Sequence, residues 1–353
     1  MPNPRPAVVS MAPYSPPTGN RIEKLRLDFN ENTVGCSPAV VAALREALTP
    51  ESLAVYPAYD GIRESLAGYF GMRPDQFILT NGTDEAIQVF LNTYIDDGDE
   101  VLLLRPSYAM YRFYAEVAAA KIVEVDYPSP AFAVPMEQLL SAITPRTRAV
   151  IVSNPNNPTG TGIGLADIQR ILERAPQAAV LIDEAYYEFH GVTALACLAE
   201  FPNLFVSRTF SKVFGLAGMR IGCLFSQPAN IAHLHKAQSP YSVNMLAAVA
   251  AGAAVQDRAF IANYVAQVLA SRTLLAEGLE RLGIRYVKSE ANFILTLVGD
   301  RAIEIRDALR GHAILVRDRS YEIPGGLRIT LGTPEQTSRL LAELETIWNR
   351  KAS

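Results

Sequence analysis

Residues 207–222, with the sequence SRTFSKVFGLAGMRIG, contain a lysine and an arginine whose surroundings indicate chemistry. Lys212 lies among apolar residues and follows two hydroxyl side chains, those of Thr209 and Ser211. In such surroundings a lysine either extends its ammonium group to water or has its pKa lowered, and a lowered pKa makes the amine a nucleophile. Arg220 has the planar guanidinium that suits a phosphate group. The stretch therefore predicts an amine nucleophile beside an anion site.

Other polar and aromatic side chains also follow apolar runs directly. Asp183 ends the run AVLI, where an unpaired carboxylate is costly, so we expect a cationic partner for it, and Tyr186 follows three residues later. Tyr108 and Tyr111 follow the run VLLLRP; one of them could stack on a planar ligand, although core packing is the commoner role of a tyrosine. The stretch NPNNPTG, residues 154–160, forms a rigid turn that either aims an asparagine at a ligand or serves only as a turn.

The stretch NGTDEA, residues 81–86, follows the run FILT and has the composition of a phosphate-binding turn. Gly82 permits a tight turn, and Thr83 or Asp84 is expected to cap a helix whose free N–H groups point outward. An ordinary capped helix is the alternative interpretation. The stretch is a candidate anion site only if the other candidate residues lie nearby.

The chain pattern predicts how these side chains are brought together. From about residue 60 to 225, short apolar runs alternate with amphipathic helical segments, which predicts an α/β domain with a mostly parallel sheet covered on both faces. In such sheets ligands bind at the carboxyl ends of the strands. Because each candidate stretch follows a predicted strand, we expect one shared site at that edge.

The pattern changes from about residue 243 to long helical segments, followed by strands and a closing helix. One of these strands is expected to run through RYVKSEANFILTLV, residues 285–298. We therefore predict three parts: an N-terminal arm and helix at 1–48 that pack with the small domain, a large domain at 49–245 and a small α+β domain at 246–353.

Composition excludes several classes of protein. The chain has 353 residues, 49% of them apolar and 19% charged, and a net charge of −4 without long basic runs, which argues against nucleic-acid binding and favours small-molecule partners. Three widely spaced cysteines indicate neither a disulfide framework nor a metal pair, and a reducing cytoplasm fits them. No signal peptide, membrane span or metal site is expected; His233 and His235 are two apart on a predicted helix and point to different faces.

Together these features describe a site for a planar, phosphorylated cofactor that requires an amine partner. Pyridoxal 5′-phosphate matches this description, with Lys212 holding its aldehyde as a Schiff base. The run GTGIG, residues 160–164, is a weak signal for a dinucleotide site, since it follows a turn and lacks the third glycine at the required spacing.

The order of these motifs also resembles a known family. The stretches NGTD, SY, NPNNPTG, DEAYYEF, SRTFSKVFGLAGMRIG and GLRITLG are similar to those of the fold-type I, class II pyridoxal-phosphate-dependent aminotransferases, from about Tyr14 to the C-terminus. The stretches APYSP, LDFNEN, VYP, ANFI and VRD resemble most closely the histidinol-phosphate aminotransferase family. The usual NENP of that family is NENT here, and its PYNVN is PYSVN at Ser242, near the region where the substrate is chosen.

The resemblance implies a role for each matched residue. Lys212 would form the Schiff base and move a proton, Asp183 would pair with the pyridinium nitrogen, and Tyr108 would stack on the ring. Asn157 and Tyr186 would bind the phenolic oxygen. The phosphate would be held by the turn and side chains at Gly82, Thr83, Asp84, Thr209, Ser211 and Arg220.

The resemblance also implies how substrates and subunits meet. Arg328 would bind the α-carboxylate of an amino-acid substrate, and Arg317, Tyr14 and Asn30 would receive its far end, together with Asn157. Tyr56 would reach the cofactor phosphate of a neighbouring subunit, which implies a homodimer. The amino donor and keto acid would be those of histidine biosynthesis; an aromatic amino acid aminotransferase, a threonine-phosphate decarboxylase and a noncatalytic binding protein of the same fold remain as alternatives.

Overall fold

The computed structural model describes residues 2–12 and 20–350. Its helices are α1 (Pro6–Val9), α2 (Pro38–Ala47), α3 (Pro50–Ala54), α4 (Asp60–Phe70), α5 (Gly82–Tyr94), α6 (Ala109–Val117), α7 (Met136–Ala142), α8 (Leu165–Arg174), α9 (Tyr187–His190), α10 (Pro228–Ala237), α11 (Met245–Gln256), α12 (Arg258–Arg281), α13 (Ala302–Gly311) and α14 (Pro334–Trp348). Its strands are β1 (Leu25–Leu27), β2 (Phe77–Thr80), β3 (Glu100–Arg105), β4 (Lys121–Asp126), β5 (Thr147–Ser153), β6 (Ala179–Asp183), β7 (Leu204–Thr209), β8 (Gly222–Phe225), β9 (Arg285–Val287), β10 (Phe293–Leu297), β11 (Ile314–Asp318) and β12 (Gly326–Thr330).

The larger sheet has the order β2-β8-β7-β6-β5-β3-β4. Neighbouring strands from β4 to β7 pair in parallel, and β8 runs antiparallel to both β2 and β7. Along β6, Val180 and Leu181 are fully buried on opposite faces of the sheet, each within a different hydrophobic cluster. Burial on both faces explains why these strands are continuous apolar runs. The predicted α/β fold with a mostly parallel sheet is confirmed.

The smaller sheet has the order β1-β11-β12-β10-β9, so it joins an N-terminal strand to C-terminal ones. The sequence did not predict β1, which pairs in parallel with β11. The expectation of one strand through residues 285–298 was wrong: the chain turns back between β9 and β10, which pair antiparallel. Helix α2 packs against α11, which also packs against α4. The packing of the N-terminal helix with the small domain and the three domain boundaries stay predictions.

Helix α12 is long and apolar enough, by length and composition, to pass as a membrane span. A single such helix is weak evidence, because core helices have the same composition. Its residues Ile261, Val268, Leu275 and Leu279 are buried in the main hydrophobic cluster, and the helix packs against α14. We therefore interpret α12 as a core helix.

The loop between β7 and β8 carries Lys212 and packs tightly against the segment after β1. Gly215 has a φ of +71°, and a Cβ atom placed on it would lie 2.4 Å from the carbonyl oxygen of Gly35. Both the backbone conformation and the close approach require a glycine there. This contact fixes the loop that positions Lys212.

We predict that Gly215→Ala destabilises the protein by about 1–3 kcal/mol, because the new methyl group meets backbone rather than a flexible side chain. Gly218, in the same loop, is the matched control, since a Cβ atom there has no neighbour within 4 Å and its φ is not positive. Urea unfolding of both variants checks this. Equal midpoints for the two variants would contradict the assigned packing.

Candidate active site

A cavity of about 360 Å³ lies where the carboxyl ends of the larger sheet's strands face the smaller sheet. Loops after β2, β3, β5, β6 and β7 form one side, and β11 and β12 with the segment after β1 form the other. The sequence-predicted residues that line it are Asn30, Thr83, Asp84, Tyr108, Asn157, Asp183, Tyr186, Thr209, Ser211, Lys212, Arg220, Arg317 and Arg328. The structure thus brings together residues that are spread over about 300 positions of the chain.

Lys212 is the candidate nucleophile. Its Nζ donates a hydrogen bond to the carbonyl oxygen of Phe29 at 3.1 Å and lies 5.8 Å from the centre of the Tyr186 ring. Burial lowers the pKa of Lys212 to about 8, and the charges of Arg328 and Arg220 act in the same direction. About a tenth of the amine is therefore neutral at pH 7, against on the order of one in a few thousand for an exposed lysine.

Asp183 lies at the end of β6 and is 3% exposed. The structure does not give it the cationic partner that the sequence analysis expected: within the described residues, its Oδ2 accepts a hydrogen bond from the Tyr111 hydroxyl at 2.6 Å, and its buried Oδ1 has no partner. Burial raises the pKa of Asp183, and the hydrogen bond from Tyr111 counters this rise. A buried carboxylate oxygen without a donor, beside a cavity, is suited to a protonated ring nitrogen.

One end of the cavity is built from α5 and the loop after β7. Arg220 donates to the carboxylate of Asp84 at 3.2 Å and approaches the Ser211 hydroxyl at 3.5 Å. Gly82 has a φ of +75°, which favours a glycine, and a Cβ atom there would lie 2.5 Å from the Arg220 guanidinium; Gly82 itself does not line the cavity. Thr209 accepts a hydrogen bond from the Ser211 backbone N–H at 3.1 Å.

The expected cap of α5 was wrong. The N-cap is Asn81 and the helix begins at Gly82, so Thr83 and Asp84 lie inside the first turn. Because the first N–H groups of a helix have no partner within it, this placement leaves them available for an anion. The cradle that the sequence indicated is present, but it begins earlier in the chain.

The two tyrosines that are expected to contact the cofactor are held by hydrogen bonds. The Tyr108 hydroxyl donates to Asp84 at 2.9 Å, which fixes an aromatic ring at the start of α6. The Tyr186 hydroxyl accepts a hydrogen bond from the Asn30 amide at 3.0 Å. Asn30 therefore both lines the cavity and contacts a residue that is expected to bind the cofactor. Burial raises the pKa of both phenols, so each hydroxyl keeps its proton near neutral pH.

Arginines dominate the wall formed by the smaller sheet. Arg317 and Arg328 are directly opposite each other on the antiparallel pair β11 and β12. Arg328 donates to Asn157 Oδ1 and to the carbonyl oxygen of Asp28, and burial lowers its pKa to about 10. Like charges that face each other across two strands repel, so this arrangement favours an anion between or beside them.

Several lining residues were not predicted from the sequence, namely Phe29, Glu31, Ser153, Arg319 and Tyr321, and Tyr111 was expected only as an alternative stacking residue. Arg319 had a usable signal, since it is two residues after Arg317; in the structure it lies just beyond the end of β11. The described lining side chains include five cationic and three anionic ones, in a chain whose net charge is −4. The cavity is therefore positive where the chain as a whole is negative.

Besides Gly82, one described site residue predicted from the sequence does not line this cavity. Tyr56 does not line it; its side chain is 76% exposed and stacks on Tyr241 with ring centres 4.4 Å apart. Its role toward a second subunit stays a prediction. Tyr14 lies outside the described residues.

The residues present fit pyridoxal 5′-phosphate. Lys212 supplies an amine with a lowered pKa for the aldehyde, and the partnerless Oδ1 of Asp183 suits the ring nitrogen. The first turn of α5, with Arg220 and Ser211, suits the phosphate. Fold and site together define a pyridoxal-phosphate enzyme of the α/β class.

Comparison with known proteins agrees with this class. Residues 22–344 match the model of the family "Aminotransferase class I and II", and the chain belongs to that family. It is 37% identical to a histidinol-phosphate aminotransferase of Symbiobacterium thermophilum and 36% identical to one of Acetobacter pasteurianus, with 97% of both chains covered in each case. Its fold matches that of the Sinorhizobium meliloti histidinol-phosphate aminotransferase in complex with pyridoxal 5′-phosphate, with a TM-score of 0.87, 23% identity and 98% of each chain covered.

We predict that attachment of pyridoxal phosphate to the apoprotein rises with pH and has its midpoint near pH 8, because Lys212 must lose its proton to react. The rate at which the absorption band of the lysine-linked cofactor forms measures this. Arg328→Gln should move the midpoint upward, since it removes a nearby positive charge, whereas Arg285→Gln, an exposed substitution on β9, should leave it unchanged. A midpoint above pH 10 would contradict the lowered pKa.

Proposed function

We propose that this aminotransferase converts histidinol phosphate and 2-oxoglutarate to imidazole acetol phosphate and glutamate. The sequence relatives with this activity in their names support the proposal, since they match nearly the full chain. The observation that carries it is the arginine cluster formed by Arg317, Arg319 and Arg328 on the wall opposite Lys212.

The charge of that cluster suits both members of the proposed substrate pair. Histidinol phosphate carries a phosphate group, and glutamate carries two carboxylates, so each brings about two negative charges near neutral pH. A guanidinium binds carboxylate and phosphate alike through two parallel N–H groups. One set of arginines can therefore serve both half-reactions, whereas an aromatic amino acid offers nothing to the second arginine.

Bound pyridoxal phosphate supplies an aldehyde for the amino group of the substrate and a ring that accepts electrons. The chain supplies the rest. Lys212 would hold the cofactor, and its neutral Nζ would accept and return the proton of the substrate Cα. Asp183 would keep the ring nitrogen protonated, and Tyr108 would lie against the ring.

Arg328 orients the substrate relative to Lys212. It donates hydrogen bonds to Asn157 and to the backbone of Asp28, so its guanidinium is fixed and binds a ligand in one orientation. Its buried Nε has no hydrogen-bond partner among the described residues and can donate to a substrate carboxylate or phosphate. Because Asn157 lies in the loop after β5 of the larger sheet and Arg328 on β12 of the smaller one, a substrate bound to both would link the two sheets.

The proposal includes a homodimer with shared active sites, located in the cytoplasm. Exposed apolar side chains lie around Tyr56, among them Leu53, Val55 and Tyr241, which are between 53% and 67% exposed. Such a patch is suited to burial in an interface. Tyr56 would then be carried on that interface toward the partner's cofactor phosphate.

We predict that glutamate and histidinol phosphate each bleach the absorption band of the lysine-linked cofactor, while Lys212→Ala lacks the band altogether. Stopped-flow absorption spectroscopy measures both. Arg317→Gln should weaken binding of histidinol phosphate by about 10 to 100-fold, because it removes a charge-assisted hydrogen bond. Bleaching by glutamate alone would preserve the aminotransferase chemistry and refute the proposed substrate.

We predict that Lys212→Ala and Tyr56→Ala subunits complement each other. If Tyr56 serves the partner, a mixed dimer contains one intact site, and co-expression in equal amounts restores about a quarter of the wild-type activity, since half of the dimers are mixed. Steady-state assays of the co-purified mixture check this, with each variant alone as control. Absence of any recovery, with mixed dimers confirmed by mass spectrometry, would place Tyr56 outside the partner's site.

A further inference from the structure

Tyr111 is a buried residue of the cavity wall for which the family resemblance supplies no role. It lies in the first turn of α6, is 2% exposed, and its ring packs edge-on to that of Tyr108 with centres 5.5 Å apart. Its hydroxyl donates to Asp183 Oδ2 at 2.6 Å. A hydrogen bond from a hydroxyl to a carboxylate at this distance is of the strong, charge-assisted kind.

This contact gives the two oxygens of Asp183 different surroundings. Oδ2 is occupied by the tyrosine, and the buried Oδ1 has no hydrogen-bond partner among the described residues. A carboxylate held at one oxygen has lost most of its freedom to rotate, so the second oxygen keeps a single direction. A ring nitrogen that donates a hydrogen bond requires an acceptor such as Oδ1 in a fixed orientation.

We propose that Tyr111 is a positioning residue that holds the Asp183 carboxylate in place and in its ionised form, so that Oδ1 meets the ring nitrogen of the cofactor. The inference rests on the proposed function of the site. Tyr111 acts through Asp183 and not on the substrate. Tyr111 provides this hydrogen bond from α6 to the carboxylate at the end of β6.

The Tyr111 hydroxyl favours the ionised form of Asp183. Burial raises the pKa of Asp183, and the charge of Asp84 on α5 raises it further. Tyr111 lowers it most among the neighbouring donors, which also include the Ser207 hydroxyl and the Ala185 backbone N–H. The other titratable groups around Asp183 are the phenols of Tyr108 and Tyr186, which burial keeps protonated, and the cations Lys212, Arg220 and Arg328 of the same cavity. Losing the Tyr111 hydroxyl therefore lets Asp183 take up a proton at a higher pH.

Tyr111→Phe removes only the hydroxyl and keeps the buried ring. Tyr127→Phe is the matched control, because Tyr127 is also buried, its hydroxyl has no hydrogen-bond partner among the described residues, and it does not line the cavity. Holoenzyme of each variant is titrated with acid while the absorption of the bound cofactor is recorded, and kcat and KM are measured with glutamate.

In Tyr111→Phe the acid-side midpoint of the absorption change should move up by about one pH unit, and kcat should fall about tenfold with KM nearly unchanged. Tyr127→Phe should behave as wild type in both measurements. Combining Tyr111→Phe with Asp183→Asn should add little to the effect of Asp183→Asn alone, since both changes act on one carboxylate.

A second variant keeps the test decisive if Tyr111→Phe does not fold. A fluorinated tyrosine at position 111 is a stronger donor of the same shape, so it should move the acid-side midpoint down. Equal profiles for the Tyr111 and Tyr127 variants, or full additivity with Asp183→Asn, would overturn the inference. These outcomes differ from failure of the proposed function, in which the wild-type protein itself would not react with histidinol phosphate.

Discussion

A lysine amine buried in a positively charged cavity is the constraint on which this structure depends. The carboxylates that could pair with Lys212 are engaged elsewhere: Glu31 accepts from Arg21, Asp84 from Arg220 and Tyr108, and Asp183 from Tyr111. Nζ is left with a backbone carbonyl as its described partner. Desolvation is therefore not offset by a close ion pair, and the pKa falls to about 8.

The same constraint explains why the site is built from two sheets. The larger sheet supplies Lys212 and Asp183 at its carboxyl edge, and the smaller sheet supplies the opposed pair Arg317 and Arg328. Contacts between the two sides include hydrogen bonds, such as those from the Asn30 amide to Tyr186 and from the Glu290 backbone N–H to the carbonyl oxygen of Gly160, and the edge-on packing of Tyr186 against Phe293. Anions bound in the cavity thus relieve the repulsion among the cations and also link the two sides.

Behind the cavity, a buried ion cluster supports the chain that follows Asp183. Arg208 on β7 pairs with Glu184 at 2.7 Å and lies 3.5 Å above the ring of Tyr187. Glu188 lies 3.7 Å from the same guanidinium, and burial raises its pKa to about 7. Breaking such a cluster would leave a buried charge without a partner, which is costly. The cluster therefore restricts this segment to one arrangement. That arrangement holds Asp183 and Tyr186 on the cavity side.

The sequence by itself determined the α/β pattern, the strand ends that carry the chemistry and most residues of the cavity, because apolar periodicity and local turn chemistry are properties of short segments. Only the tertiary structure decided which polar groups pair. Tyr111 instead of a cation meets Asp183, and β1 enters the smaller sheet. These outcomes depend on contacts between residues tens to hundreds of positions apart, and no local pattern encodes such distances.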